Sequence, residues 1–167
     1  MRKSILRLLA IAATVVPVTS TLRAQEVVPK DKLPRAVTAA LLSRFPKASV
    51  AKATRETENK QVVYDLEFTQ DGHKFEADIT ASGTFVNYEK AIDAKELPKA
   101  VSDAAKRLHP AATLKEVMEE TGVKGKTEAI SAYEVLFAAA GKKDWEVRFT
   151  PAGKVIDAAE EKKGEKP

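Results

Sequence analysis

Carboxylates carry what chemistry this sequence could do. Tyr64-Asp65-Leu66-Glu67-Phe68 and Phe75-Glu76-Ala77-Asp78-Ile79 flank Asp71-Gly72, a dipeptide suited to a two-residue hairpin loop. That loop pairs Phe68 with Phe75, Glu67 with Glu76 and Asp65 with Asp78. The first pair is a favourable aromatic contact, whereas the other two set like charges directly opposite each other, which costs stability. A turn at Ser82-Gly83 then sets Glu76 against Glu89 and Asp78 against Asn87, and one at Asn59-Lys60 sets Lys52 against Glu67. One sheet face thus gathers Glu56, Asp65, Glu67, Glu76, Asp78 and Glu89 around a single lysine. Three uses are open to it: a solubilising surface that guards exposed β-structure, a docking face for a basic protein segment, or a Ca²⁺ site built from clustered carboxylate oxygens. The ligand spacing matches no EF-hand loop, and neither a metal ion nor a cofactor is expected.

A second group lies farther along, where Leu114, Met118, Leu136 and Val155 interleave with Glu116, Glu134, Glu146 and Arg148. An apolar centre with a charged rim is the anatomy of a partner surface. The alternatives are that the two halves of the chain pack together there, or that the register is off by one, which would flip every side chain. The candidate partner-binding residues are therefore Asp65, Glu67, Glu76, Asp78, Glu89, Glu134, Leu136, Glu146 and Arg148.

Other chemistries lack their residues. With no Cys, disulfide frameworks, thiolate zinc sites and Cys nucleophiles are excluded together. No Gly-x-Ser-x-Gly, P-loop or His-Glu-x-x-His pattern occurs. Of the two His, His73 follows a turn and reads as an exposed loop residue, while His109 reads as a half-buried side chain at a helix end. Trp145 reads as core. Paired carboxylates can do acid–base work, but no nucleophile accompanies them, so the chain is not expected to be an enzyme and no catalytic residue is assigned.

The elements that must hold these residues recur along the chain. Leu33-Pro34-Arg35-Ala36-Val37 returns as Leu97-Pro98-Lys99-Ala100-Val101, Phe45-Pro46 as His109-Pro110, and Tyr64-Asp65-Leu66-Glu67-Phe68 as Tyr133-Glu134-Val135-Leu136-Phe137 after an insertion around Val123 to Thr127. Gly72 then matches Gly141, Phe75-Glu76 matches Trp145-Glu146, and Gly83 matches Gly153. Pro34 and Pro98 suit a first helical position. Leu33, Val37 and Leu41, like Leu97, Val101 and Leu108, fall on one helical face. Pro46 and Pro110 end the helices. The alternating segments that follow read as strands, beginning with Ala48 to Glu58 and continuing through Phe85-Val86-Asn87-Tyr88. The fold expected is α+β: two tandem repeats of a helix followed by a four-stranded antiparallel sheet, with the helices packed on one sheet face. Residues 25–92 make the first repeat, 93–159 the second, and 160–167 a charged, disordered tail.

The ordered set Leu-Pro-x-Ala-Val, Phe-Pro-x-Ala, Tyr-Asp-Leu-Glu-Phe, Asp-Gly and a closing small-x-Gly turn resembles the PepSY-like family of exported bacterial proteins, also described as β-lactamase-inhibitor-protein-like. The resemblance covers residues 30–159 as two copies. It implies the tandem fold and a periplasmic or secreted location, with a biochemical role mostly unassigned; related domains act as protein inhibitors or as parts of peptidase propeptides. His109, where an aromatic is usual, and the Val123–Thr127 insertion depart from the pattern. Inhibition of a β-lactamase does not follow, because fold does not fix function.

Residues 1–24 explain the charge. Arg2, Lys3 and Arg7 precede an apolar run from Leu8 to Val16, closed by Pro17 and a short polar stretch to Ala24. This is the order of a secretory signal peptide, and the run is shorter than the roughly 20 residues that span a bilayer. Cleavage is expected after Ala24, with Ser20 as the alternative. The whole chain carries 28 Lys+Arg against 24 Asp+Glu, a net +4. Removing the four basic residues of the leader, which holds no acid, leaves 24 of each. A neutral mature chain has no long-range field for phosphate backbones, so no nucleic-acid partner is expected, nor a stable membrane anchor after cleavage. The expected role is an exported, non-enzymatic protein- or peptide-binding module, its partner unknown or bearing a basic surface. The alternatives are an inhibitor or regulator of an exported hydrolase, and a Ca²⁺-binding periplasmic protein.

Overall fold

The computed structural model describes residues 26–58, 60–138 and 144–160. The expected leader, 1–24, Asn59 of the first expected turn, Gly141 and residues 161–167 of the expected tail lie outside the described residues. In chain order the elements are β1 (Glu26–Val27), α1 (Arg35–Arg44), β2 (Ser49–Glu58), β3 (Gln61–Gln70), β4 (His73–Thr80), β5 (Phe85–Ala91), α2 (Lys99–Leu108), β6 (Thr113–Lys124), β7 (Thr127–Ala138), β8 (Trp145–Phe149) and β9 (Val155–Glu160).

All nine strands form one antiparallel sheet, ordered β1 to β9 as in the chain. This overturns the expected pair of repeats, each a helix with its own four-stranded sheet. The described residues form a single continuous sheet with two short α-helices of ten residues each. β5 and β6 pair from Asn87↔Gly122 to Ala91↔Met118, so neither is an edge. A further strand, β1, extends β2 through Glu26↔Arg55 and Val27↔Thr54. The physical reason is backbone satisfaction: an edge strand leaves a row of donors and acceptors unpaired, and joining two edges satisfies both.

The helices start and stop close to where their sequences say. Pro34 and Pro98 sit just before the first helical residues, with ψ near 140°, one position earlier than expected. The Ala94–Glu96 turn ahead of α2 is closed by a capping box: Asp93 accepts from Lys95 N at 3.0 Å, and Glu96 accepts from Asp93 N at 2.8 Å. Phe45 and His109 end the helices. Phe45 packs on Phe68 and Phe75, themselves stacked 5.4 Å apart, and His109 packs on Phe137.

Two apolar clusters fill the space under the helices. Val37 and Leu41 of α1 meet Leu66, Phe68, Ala77 and Ile79, and Val101 and Ala105 of α2 meet Val117, Val135, Phe137, Val147 and Phe149. Tyr88 of the first cluster stands opposite Thr121, and Val117 of the second lies two pleats further along the same strand. Period-two alternation therefore puts both clusters, and both helices, on the same sheet face. Fully buried, each Leu, Ile, Val or Phe side chain contributes about 1.5–3 kcal/mol.

The turns fit the helices closely. Asp71 and Gly72 both have positive φ, 50° and 83°, which a two-residue type I′ loop requires. Gly153, in the β8–β9 turn, has φ 77°, and a Cβ there would lie 2.3 Å from the carbonyl oxygen of Ala100 on α2. Register shifts between Leu114 and Glu116 and between Arg148 and Phe149 correct two expectations. Leu114 packs in the cluster beneath α2 and Val155 stands opposite Phe149, so both belong to the helix-covered face. A bulge inserts one residue and reverses the facing of everything beyond it.

Candidate functional site on the open sheet face

Among the described residues the second sheet face carries no helix, and the pleat turns the acidic residues toward it. β3 to β5 have the pairing expected from the hairpin turns: Glu67↔Glu76, Asp65↔Asp78, Glu76↔Glu89 and Asp78↔Asn87. Lys52 stands opposite Glu67, its Nζ 2.8 Å from Oε1. The pairing then runs on across the middle of the sheet, Glu89 to Glu120. A ladder Lys52–Glu67–Glu76–Glu89–Glu120 thus crosses five strands. Alongside run Thr54–Asp65–Asp78–Asn87 on one side and Met118–Glu134–Arg148–Asp157 on the other. Adjacent rungs are one strand spacing apart, about 4.8 Å.

All nine residues singled out in the sequence are therefore on one face. Asp65, Glu67, Glu76, Asp78 and Glu89 come from β3 to β5, and Glu134, Leu136, Glu146 and Arg148 from β7 and β8. The β5–β6 junction makes the two groups one surface. Two adjoining depressions mark it. One, of about 290 Å³, has Met118 and Leu136 on its floor, 5% and 9% exposed, and Glu67, Glu76, Glu89, Glu116, Glu134 and Glu146 with Lys74 around them. The other, of about 310 Å³, adds Glu56, Asp65, Asp78 and Asn87 and shares Glu76, Glu89, Glu134 and Glu146.

Crowding perturbs these acids. Burial pushes the Asp65 carboxyl up to about 7, helped by Asp78 and Glu76 and opposed by a hydrogen bond from Thr54 Oγ1 at 3.2 Å. Burial, then the charges of Glu134, Glu76 and Glu120, hold Glu89 far above the ordinary range. Burial, then Glu146 and Glu120, raise Glu134, while Arg148 pulls it back.

One cation, Lys74, and one buried acid, Glu120, on this face are not among the residues that the sequence singles out. Lys74 Nζ bridges Glu76 at 2.9 Å and Glu116 at 2.8 Å; burial opposes its charge, but the two carboxylates outweigh that and raise its pKa. Lys74 could have been found, since it lies two residues before Glu76 and so on the same face. Arg148 had been placed in the rim, but its partner had not. Glu120, 3% exposed, takes Arg148 Nε on Oε2 at 2.7 Å and Nη2 on Oε1 at 2.6 Å, with Ser131 Oγ on Oε1 at 2.5 Å. Glu120 shows itself only once β5 is paired with β6.

Carboxylate oxygens of Glu89, Glu120 and Glu134 lie within 4.8 Å of one another, a donor set of the kind hard cations take. Both Glu120 oxygens are engaged by Arg148, however, so the structure fills this triple with a protein cation. His73 is exposed and His109 half-buried against Phe137.

No family model matches the chain, and no curated protein matches it. Solved structures do. A protein of Bacteroides eggerthii described as periplasmic superposes with a TM-score of 0.58 at 18% identity, over 76% of this chain and 88% of that one. A DUF2874 family protein from Bacteroides uniformis gives 0.58 at 21% identity over the same shares. A BLIP-like protein from Bacteroides fragilis gives 0.53 at 19%, over 80% and 89%. In fold, this chain is similar to BLIP-like and DUF2874 proteins. The matches carry the BLIP-like side of the resemblance and do not bear on its PepSY side or on a duplicated unit. The location of the first is in line with the export expected from residues 1–24.

Proposed function

We propose that the protein is an exported, non-enzymatic module, periplasmic or secreted, that binds a protein or peptide through its open sheet face. The observation that carries this reading is the asymmetry of the sheet. One face is closed by both helices, while the other bears a ladder of carboxylates around the apolar floor of Met118 and Leu136. A merely solubilising surface has no need of acids close enough to raise one another's pKa, nor of an apolar floor among them. The leader-like N-terminus and the periplasmic description of a structural neighbour support the location.

The test is an array of short peptides of varied charge and hydropathy, probed with the wild-type protein and with the double variant Glu67→Lys/Glu76→Lys. Loss of specific spots with the variant, at unchanged thermal stability, supports the face. Identical spot patterns overturn it.

A further inference from the structure

We infer that the open face takes up a lysine- or arginine-rich extended segment of another protein, and does so in exchange for protons. This rests on the docking role proposed above and adds the partner's chemistry and the coupling. The charge balance of the face argues for the partner. Lys52 and Arg148 sit in the ladders and Lys74 beside them, each paired to acids of the face. The carboxylates outnumber them, and complementary potential is what directs a charged partner to such a surface. The floor of Met118 and Leu136 suits the aliphatic stems of Lys and Arg, whose charged heads would then reach Glu89, Glu134 and Glu146 on the rim.

The exchange follows from the packing. Glu89 on β5 faces Glu76 and Asp78 on β4, Glu120 on β6 and Glu134 on β7, with Arg148 of β8 beyond. Asp65 on β3 faces Lys52 and Thr54 on β2, Asp78 and Glu76 on β4, and Glu67 on its own strand. Carboxylates this close and this buried cannot all ionise together, which agrees with the raised positions of Asp65, Glu89 and Glu134. An arriving ammonium or guanidinium favours the ionised form. The carboxyl O–H bond then breaks, its proton passes to solvent, and the carboxylate pairs with the cation.

The experiment is calorimetric titration with octalysine at pH 7 and low ionic strength, in phosphate and in Tris, buffers of very different protonation enthalpy. Expected are different observed enthalpies, equivalent to at least one proton released per peptide. The affinity should rise about tenfold per pH unit for each proton released, between pH 6 and pH 8. The Asp65→Asn variant should bind octalysine with fewer protons released. Binding with equal enthalpies in both buffers overturns the exchange and leaves the docking role standing. Absence of octalysine binding overturns the basic partner and the exchange and leaves the docking role to the peptide array; undiminished binding by a folded Glu67→Lys/Glu76→Lys variant overturns the open face as the site.

Discussion

The guanidinium of Arg44, near the end of α1, grips both carboxylate oxygens of Glu128 at the start of β7, 84 residues away. The same guanidinium lies 5.0 Å from the ring centroid of Phe85 and 5.1 Å from that of Tyr88, and the Tyr88 hydroxyl donates to Glu128 at 3.1 Å. Twelve-residue strands on either side of the β6–β7 turn, against eight and seven in β4 and β5, carry the tip this far. The insertion at Val123–Thr127 is thus the reach of a hairpin that ties the second half of the sheet to the first helix.

Because this tie is partly solvated, its strength should depend on salt. Arg44→Ala should lower the melting temperature more than Glu128→Gln, since it removes the contacts over Phe85 and Tyr88 as well as the ion pair. Melting each variant and the double variant at low and high NaCl checks this. A coupling between the two sites that does not shrink with salt contradicts the ion-pair account.

Asp65 should make the protein less stable as pH rises. Its folded pKa, about 7, lies above an unfolded value near 4, so the folded state holds the proton more tightly. Stability therefore falls as pH climbs from about 4 to about 7 and is level above that. Asp65→Asn, which still offers an acceptor to Thr54, should flatten this stretch and stabilise the protein at pH 8 by about 1–3 kcal/mol. Urea unfolding of both proteins at pH 5 and pH 8 measures it; an equal difference at the two pH values would contradict the shift.

Local signals explain how much of the site could be read in advance. Asp71-Gly72 determines the loop length, and the loop length determines that Glu67 meets Glu76 and Asp65 meets Asp78. No such signal joins β5 to β6, because α2 and its connections intervene and the pairing of Glu89 with Glu120 is a tertiary event. The continuity of the sheet was therefore missed, and Glu120 with it. Leu114 and Val155 failed for a different reason. Their bulges reverse the facing of side chains without changing the alternation of residue types.

Two glycines separate backbone strain from collision. Gly125 has φ 63° and open space around it, so Gly125→Ala should cost only the left-handed penalty, about 1 kcal/mol. Gly153→Ala adds a methyl 2.3 Å from the Ala100 carbonyl oxygen and should cost about 2 kcal/mol or more, lifting the β8–β9 turn off α2. Urea midpoints give the comparison. Equal losses would mean that the close approach is not held in solution.

Arg148 should have opposite effects on stability and on binding. Its guanidinium satisfies the buried carboxylate of Glu120, and removing one member of such a pair strands the other. Arg148→Met should therefore destabilise the fold by about 2–3 kcal/mol. Adding Glu120→Gln should recover part of that loss, since the amide leaves no buried charge unpaired. On the open face the same substitution removes one of the cations that compete for Glu120 and Glu134, so octalysine should bind the folded variant more tightly than wild type. A role confined to packing predicts destabilisation with weaker or unchanged binding. Stability and octalysine affinity measured together on Arg148→Met and on the double variant distinguish the two.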